Sequence, residues 1–134
     1  MKCMLDTNIL VSAALFPKSV SAKAYMKAVT PPHRSVVCDY SIAEFRRVFN
    51  EKFPHRILDY ERFVSMMSVK VVLTPSEGKY KESENKIRDA DDRPILRAAL
   101  AEKVDVLITG DKDFLEAKID KPKIFSAAEF LQKI

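Results

Sequence analysis

The chain has 134 residues, 47% of them hydrophobic and 31% charged, with a net charge of +4. That length fits one domain with its own core, and that composition excludes a disordered chain. The mild basic excess suits a polyanionic partner without specifying one, and no apolar run is long enough to span a bilayer.

Residues 2–5 form a short apolar run ending at Asp6 and predict the first strand. Residues 9–15 predict a helix, which Pro17 interrupts, and residues 20–29 predict a second, ended by Pro31-Pro32. The β-branched run 35–38 predicts the second strand. Apolar residues at 42, 45, 48 and 49 predict a helix over 41–52, and those at 57, 60, 63, 64 and 67 predict another over 57–67. Residues 69–73 predict a third strand, closed by Thr74-Pro75. Residues 75–88 are polar and are expected as a loop followed by a short exposed helix. Residues 92–103 predict a helix with Asp92 at its N-cap and Pro94 in its first turn. Residues 104–109 are the clearest buried strand, and 111–116 a helical turn. Residues 123–125 predict the last strand, and Ser126 caps a final helix running to Lys133. Strands alternating with helices predict an α/β fold with a central parallel sheet covered on both faces.

Several chemistries are excluded or unsupported. Gly78 and Gly110 are the only glycines, too few for a Walker loop or a dinucleotide-binding fingerprint. No Ser-His-Asp set is legible, and His33 and His55 lie in polar loops flanked by proline. Cys3 and Cys38 sit in strand-like segments and are expected as reduced core thiols of a cytoplasmic protein. Lys2 is the single basic residue before Asp6, so the first residues do not read as a signal peptide.

Asp6, Glu44, Asp92 and Asp111 each lie beside an apolar stretch, where strand gives way to loop or helix. In open parallel sheets the ligand crevice lies beyond the carboxyl ends of the strands, so these acids are expected to meet there. Converging carboxylates repel one another unless protons or cations neutralise them. Oxygen ligands suit Mg²⁺ or Mn²⁺, which points to metal-dependent phosphodiester hydrolysis. Each acid has a structural reading as well. Asp92 can cap a helix, Ser41-x-x-Glu44 spells a capping box, and Asp111 and Asp113 can be turn residues. Asn8 and Thr109 can form turns or orient the acids. Arg46, Arg93 and Lys112 are candidates for steering a phosphate backbone.

Four segments carry a likeness to a known family: Met4-Leu5-Asp6-Thr7-Asn8-Ile9-Leu10, Ser41-Ile42-Ala43-Glu44-Phe45, Asp89-Ala90-Asp91-Asp92-Arg93-Pro94-Ile95-Leu96 and Val106-Leu107-Ile108-Thr109-Gly110-Asp111-Lys112-Asp113-Phe114. They resemble the four acidic motifs of the PIN-domain nucleases, and within them the VapC-like toxins of toxin–antitoxin pairs. The likeness covers nearly the whole chain and is most specific over residues 89–114. It implies a three-layer α/β/α fold, Mg²⁺ or Mn²⁺, and endonucleolytic cleavage of single-stranded RNA. It also implies a homodimer and a cognate antitoxin. Asp6, Glu44, Asp92 and Asp111 match the family's acidic positions, with Asn8, Thr109 and Asp113 in support. Asp89 and Asp91 crowd Asp92, so which aspartate of that run is the third ligand stays open.

Rival readings are a non-catalytic RNA- or protein-binding module on the same fold, and a housekeeping RNA-processing nuclease. A receiver-type phosphoacceptor domain needs adjacent acids after its first strand, whereas Thr7-Asn8 follows Asp6. A haloacid-type phosphatase needs Asp-x-Asp there, and Asn8 occupies the second position.

Overall fold

In the computed structural model, which describes all 134 residues, the apolar runs pair into one five-stranded sheet in the order β3-β2-β1-β4-β5. The strands are β1 (Lys2–Leu5), β2 (Arg34–Cys38), β3 (Lys70–Val72), β4 (Val106–Ile108) and β5 (Lys123–Phe125), and every pairing is parallel. A parallel sheet covered on both faces needs apolar side chains pointing both ways. Cys3 and Leu5 accordingly enter one core layer, and Met4 enters the other.

Helices α1 (Thr7–Leu15), α2 (Val20–Val29), α3 (Asp39–Lys52), α4 (Ile57–Ser65) and α8 (Ala127–Lys133) cover the first face. Helices α6 (Arg93–Ala101) and α7 (Lys112–Leu115) cover the second, with α5 (Lys81–Glu84) packed on α6. This is the parallel sheet covered on both faces that the alternation of elements predicts, in the three-layer α/β/α arrangement that the resemblance implies.

The chain runs from β1 outward through β2 to β3, then returns to place β4 on the other side of β1. The order therefore switches between β1 and β4, and a crevice opens beyond their carboxyl ends. Leu5 pairs with Ile108, so both strands stop at the same level.

Helix α3 is fixed against α4 by aromatic packing. Phe45 meets Phe49, Tyr60 and Phe63 edge-on, at centroid separations of 5.6, 5.0 and 5.7 Å. Successive residues of a helix turn by roughly 100°. With Phe45 buried, Glu44 is directed to the flank of α3, where the crevice lies.

Three local expectations are corrected. Helix α3 starts at Asp39, directly off β2, rather than at Ser41. Ser41 and Glu44 therefore lie inside the helix and form no capping box; the Ser41 hydroxyl instead accepts from the Cys38 thiol at 3.4 Å. Asp39 anchors this early start, accepting from the Thr74 amide and hydroxyl. Asp92 precedes α6, but its backbone is already helical and its side chain caps nothing. Finally, the 75–88 segment is not simply exposed: Glu84 is buried and Ile87 is fully buried. The periodicity there is too short to reveal a face, and the pull comes from α6, through Arg97.

Cys3 and Cys38 are free, buried and in opposite core layers. Burial pushes the Cys3 thiol up to about 11, which keeps it protonated and inert. No helix is long and apolar enough to cross a membrane.

Candidate active site

The site begins where β1 ends. Asp6 is only 3% exposed, and it caps α1 by accepting from the Thr7 amide through Oδ1 at 2.8 Å. Its Oδ2 accepts from the Thr109 hydroxyl at 2.7 Å and from Asn8 Nδ2 at 3.3 Å. Burial pushes its carboxyl up to about 6, against the hydrogen bonds from Thr109 and Thr7. The neighbouring Glu44 and Asp111 carboxylates add to the rise.

Thr109 and Asn8 tie the end of β4 to the end of β1. Thr109 is fully buried, and its oxygen also accepts from the Asp111 amide at 3.0 Å. Asn8 Oδ1 accepts from the Gly110 amide at 2.9 Å, which turns its Nδ2 toward Asp6. Asp111 then caps α7, accepting from the Asp113 amide at 2.9 Å. Both residues thus join the strand ends while orienting acids.

Glu44 comes from α3. The Thr7 hydroxyl lies 3.4 Å from Glu44 Oε2 and equally far from the Ser41 carbonyl. Arg47 sits one turn on, 3.9 Å from Glu44 Oε1. Asp92 comes from the 3-10 turn Ala90–Asp92 before α6. Its Oδ2 is sealed from solvent and has no hydrogen-bond partner. Burial, then the adjacent Asp111 carboxylate, then the charges of Asp6 and Asp89 hold the Asp92 carboxyl far above the ordinary carboxylate range. Two ionised carboxylates cannot bond each other, so this group needs a proton or a cation.

Asp6, Glu44, Asp92 and Asp111 together line one cleft of about 320 Å³, beside Asn8 and Lys52. A wider trough of about 750 Å³ shares Glu44 and Asp92 and extends past Tyr40, Arg47, Asp89 and Asp91. Beside Asp92, which lines both, carboxylate oxygens of Asp89, Asp92 and Asp113 lie within 4.8 Å of one another. Asp113 also pairs with the exposed Arg88.

The basic residues singled out from sequence fall elsewhere. Arg46 and Lys112 are exposed and line neither cavity. Arg93 is engaged with the backbone, donating Nε to the Ile87 carbonyl at 3.0 Å. The basic side chains on the cleft walls are Arg47 and Lys52, both on α3 and both missed. Their signal was helical spacing from Glu44, at i+3 and i+8, but it needed the flank of α3 to be known. Asp89 was legible only as crowding. The 3-10 turn repeats every three residues, so Asp89 and Asp92 fall on one side of it.

Residues 2–113 match the family model described as a PIN domain. Among solved structures, the chain is similar to the crystal structure of VapBC2 from Rickettsia felis bound to a DNA fragment from their promoter, with a TM-score of 0.66 and 18% identity. That superposition covers 93% of this chain and 97% of the other, and at such identity it speaks for the fold. No curated protein matches in sequence.

Proposed function

The chain belongs to the PIN-domain family, and on that premise we propose that it is a metal-dependent endoribonuclease acting on single-stranded RNA, the toxin of a toxin–antitoxin pair. The observation that carries the reading is the meeting of four acids at the switch point of the sheet, with Asp92 Oδ2 buried and unpartnered. The donor set fits a hard divalent cation. Every acidic donor offers oxygen, and no histidine or cysteine lines the cleft. Asp6, Glu44, Asp92 and Asp111 would hold Mg²⁺ or Mn²⁺, and Asp89 and Asp113 adjoin them. A divalent ion bound there supplies Lewis acidity, activating water and offsetting charge on a phosphate oxygen.

The remaining work falls to side chains of the chain itself. The Thr109 hydroxyl and the Thr7 amide hold the Asp6 carboxylate in one orientation. Asn8 keeps the ends of β1 and β4 at a fixed separation through Asp6 and Gly110. Arg47 and Lys52 place positive charge on the cleft walls, where a phosphate backbone would run. No side-chain nucleophile is needed for this chemistry.

The test is cleavage of a fluorescent single-stranded RNA with Mn²⁺, with excess chelator, and with Asp92→Asn. Cleavage that needs Mn²⁺ and is lost in the variant is the expected result. Activity persisting in excess EDTA would sink the mechanism. RNA binding without cleavage in saturating Mn²⁺ would favour the non-catalytic module.

A protein partner is the second element of this reading. The similar solved structure is a VapBC complex. Here an apolar groove of about 310 Å³ runs between α2 and α4, bordered by the exposed Met26 and Met66. Exposed apolar surface of this kind suits a protein partner, which we take to be the antitoxin. We also propose a homodimer in the cytoplasm. Light scattering giving a monomer at tens of micromolar would count against the dimer.

A further inference from the structure

Outside the acid cleft, the most heavily buried charges belong to Arg97 on α6 and Glu84 on α5, 5% and 4% exposed. Arg97 Nε and Nη2 both donate to Glu84 Oε1, at 3.1 and 2.9 Å. Its Nη1 donates to the Pro75 carbonyl at 3.0 Å, and the exposed Glu77 carboxylate lies 3.7 Å from Nη2. Glu84 Oε2 is buried and has no partner.

Stability is a weak reason for such a pair. The cost of stripping water from both charges offsets much of their attraction, and packed apolar side chains of similar volume often do as well or better. The orphaned oxygen adds to that cost. What the pair secures is a path. It joins residues 13 apart in sequence, and the acid turn carrying Asp89 and Asp92 lies between them. Arg93, one turn earlier on α6, holds the Ile87 carbonyl at 3.0 Å. Arg88 then reaches across to Asp113 on α7. The chain from Glu84 to Asp89 is thus fastened at three successive points, the last of them at the acid cluster.

We propose that Arg97 and Glu84 are positioning residues: their buried pair holds residues 75–88 as a strap that presents Asp89 and Asp92 to the cation cleft. Strap order and cation affinity then rise and fall together. The inference rests on the cation-binding reading given above.

Reciprocity of coupled equilibria makes it testable on the unaltered chain. If the strap sets cation affinity, then saturating Mn²⁺ must slow hydrogen exchange of the strap amides in residues 76–88, outside the acid turn itself. A second measurement titrates Mn²⁺ into Arg97→Met/Glu84→Leu, which removes both charges and approximates the buried volume. The expected result is a melting temperature close to the parent, faster exchange in the strap, and Mn²⁺ affinity weaker by roughly tenfold. Arg97→Lys keeps the charge but not the planar fork, and its affinity should fall between the two. A folded double variant with parental Mn²⁺ affinity would overturn the inference and leave the cation site standing. So would Mn²⁺ binding that leaves strap exchange unchanged in the unaltered chain, a measurement that decides the matter even if the double variant does not fold. An unaltered chain that binds no Mn²⁺ would overturn the cation site and the inference with it.

Discussion

Thr109 donates its hydroxyl to Oδ2 of Asp6 at 2.7 Å, across the seam where β4 lies beside β1. The bond joins residues 103 apart in sequence, and both are buried. It makes Asp6 a better anion than its burial alone would allow.

Thr109→Val keeps the shape and removes the hydroxyl. Asp6 loses its shortest side-chain donor, and the Asp111 amide loses an acceptor. The expected cost is about 1–3 kcal/mol of stability, the range for leaving such groups unsatisfied. The Asp6 carboxyl should rise further, and Mn²⁺-dependent cleavage should fall at subsaturating metal. Parental activity across a Mn²⁺ titration would show that Thr109 only closes the turn.

The metal-free protein should grow more stable as pH falls from about 8 toward 5. Asp6 is pushed up to about 6, and Asp92 lies far above the ordinary range. The folded state therefore binds more protons than the unfolded state in this window, and the slope of unfolding free energy against pH is negative. For Asp6 the ionisation penalty is fully developed above its folded value and vanishes below the unfolded value of 3.8. Its size is on the order of 2–3 kcal/mol. Urea unfolding in EDTA at several pH values measures it. Asp92→Asn should flatten the slope and raise the melting temperature at pH 8. A variant that melts more than about 5 °C lower, roughly one kcal/mol, would mean that the carboxylate is held by a partner.

Glu44→Gln separates charge from hydrogen bonding. Glu44 lies inside α3, so no helix cap is at stake, and glutamine can still accept from Thr7. Folding should be near normal. Activity should fall by about tenfold or more, equivalent to roughly 1.4 kcal/mol of transition-state stabilisation. Full activity at low Mn²⁺ would remove Glu44 from the site and leave three aspartates.

The α3 cations should govern RNA affinity. Arg47→Gln and Lys52→Gln should each weaken binding and reduce the salt dependence by about one phosphate contact. Arg46→Gln and Lys112→Gln, which line neither cavity, should do less. Equal effects from all four would mean that the strand is bound by overall charge rather than along the cleft.

The amino-acid sequence alone determined the alternation of elements and the position of the acids along them. Apolar runs stop at Leu5 and Ile108, and the polar residues that follow, Asp6 and the Thr109-Gly110-Asp111 run, stand where the strands end. Hydrophobic period and acids at strand ends are local signals, so they survive without a structure. Only the tertiary structure decided which local signal prevailed where two competed. Ser41-x-x-Glu44 spells a cap, yet β2 runs straight into α3 and Asp39 is held by Thr74, so the box lies inside the helix. Asp92 sits at a helix start, yet its oxygen is buried against other acids instead of accepting an amide. Arg47 and Lys52 reached the cleft because aromatic packing of Phe45 set the rotation of α3. Glu84 went inward because Arg97, 13 residues away on another helix, supplied a partner. Each of these outcomes depends on groups distant in sequence sharing one buried space, where unpaired charge is costly and rotation is set by packing, and no local pattern encodes that.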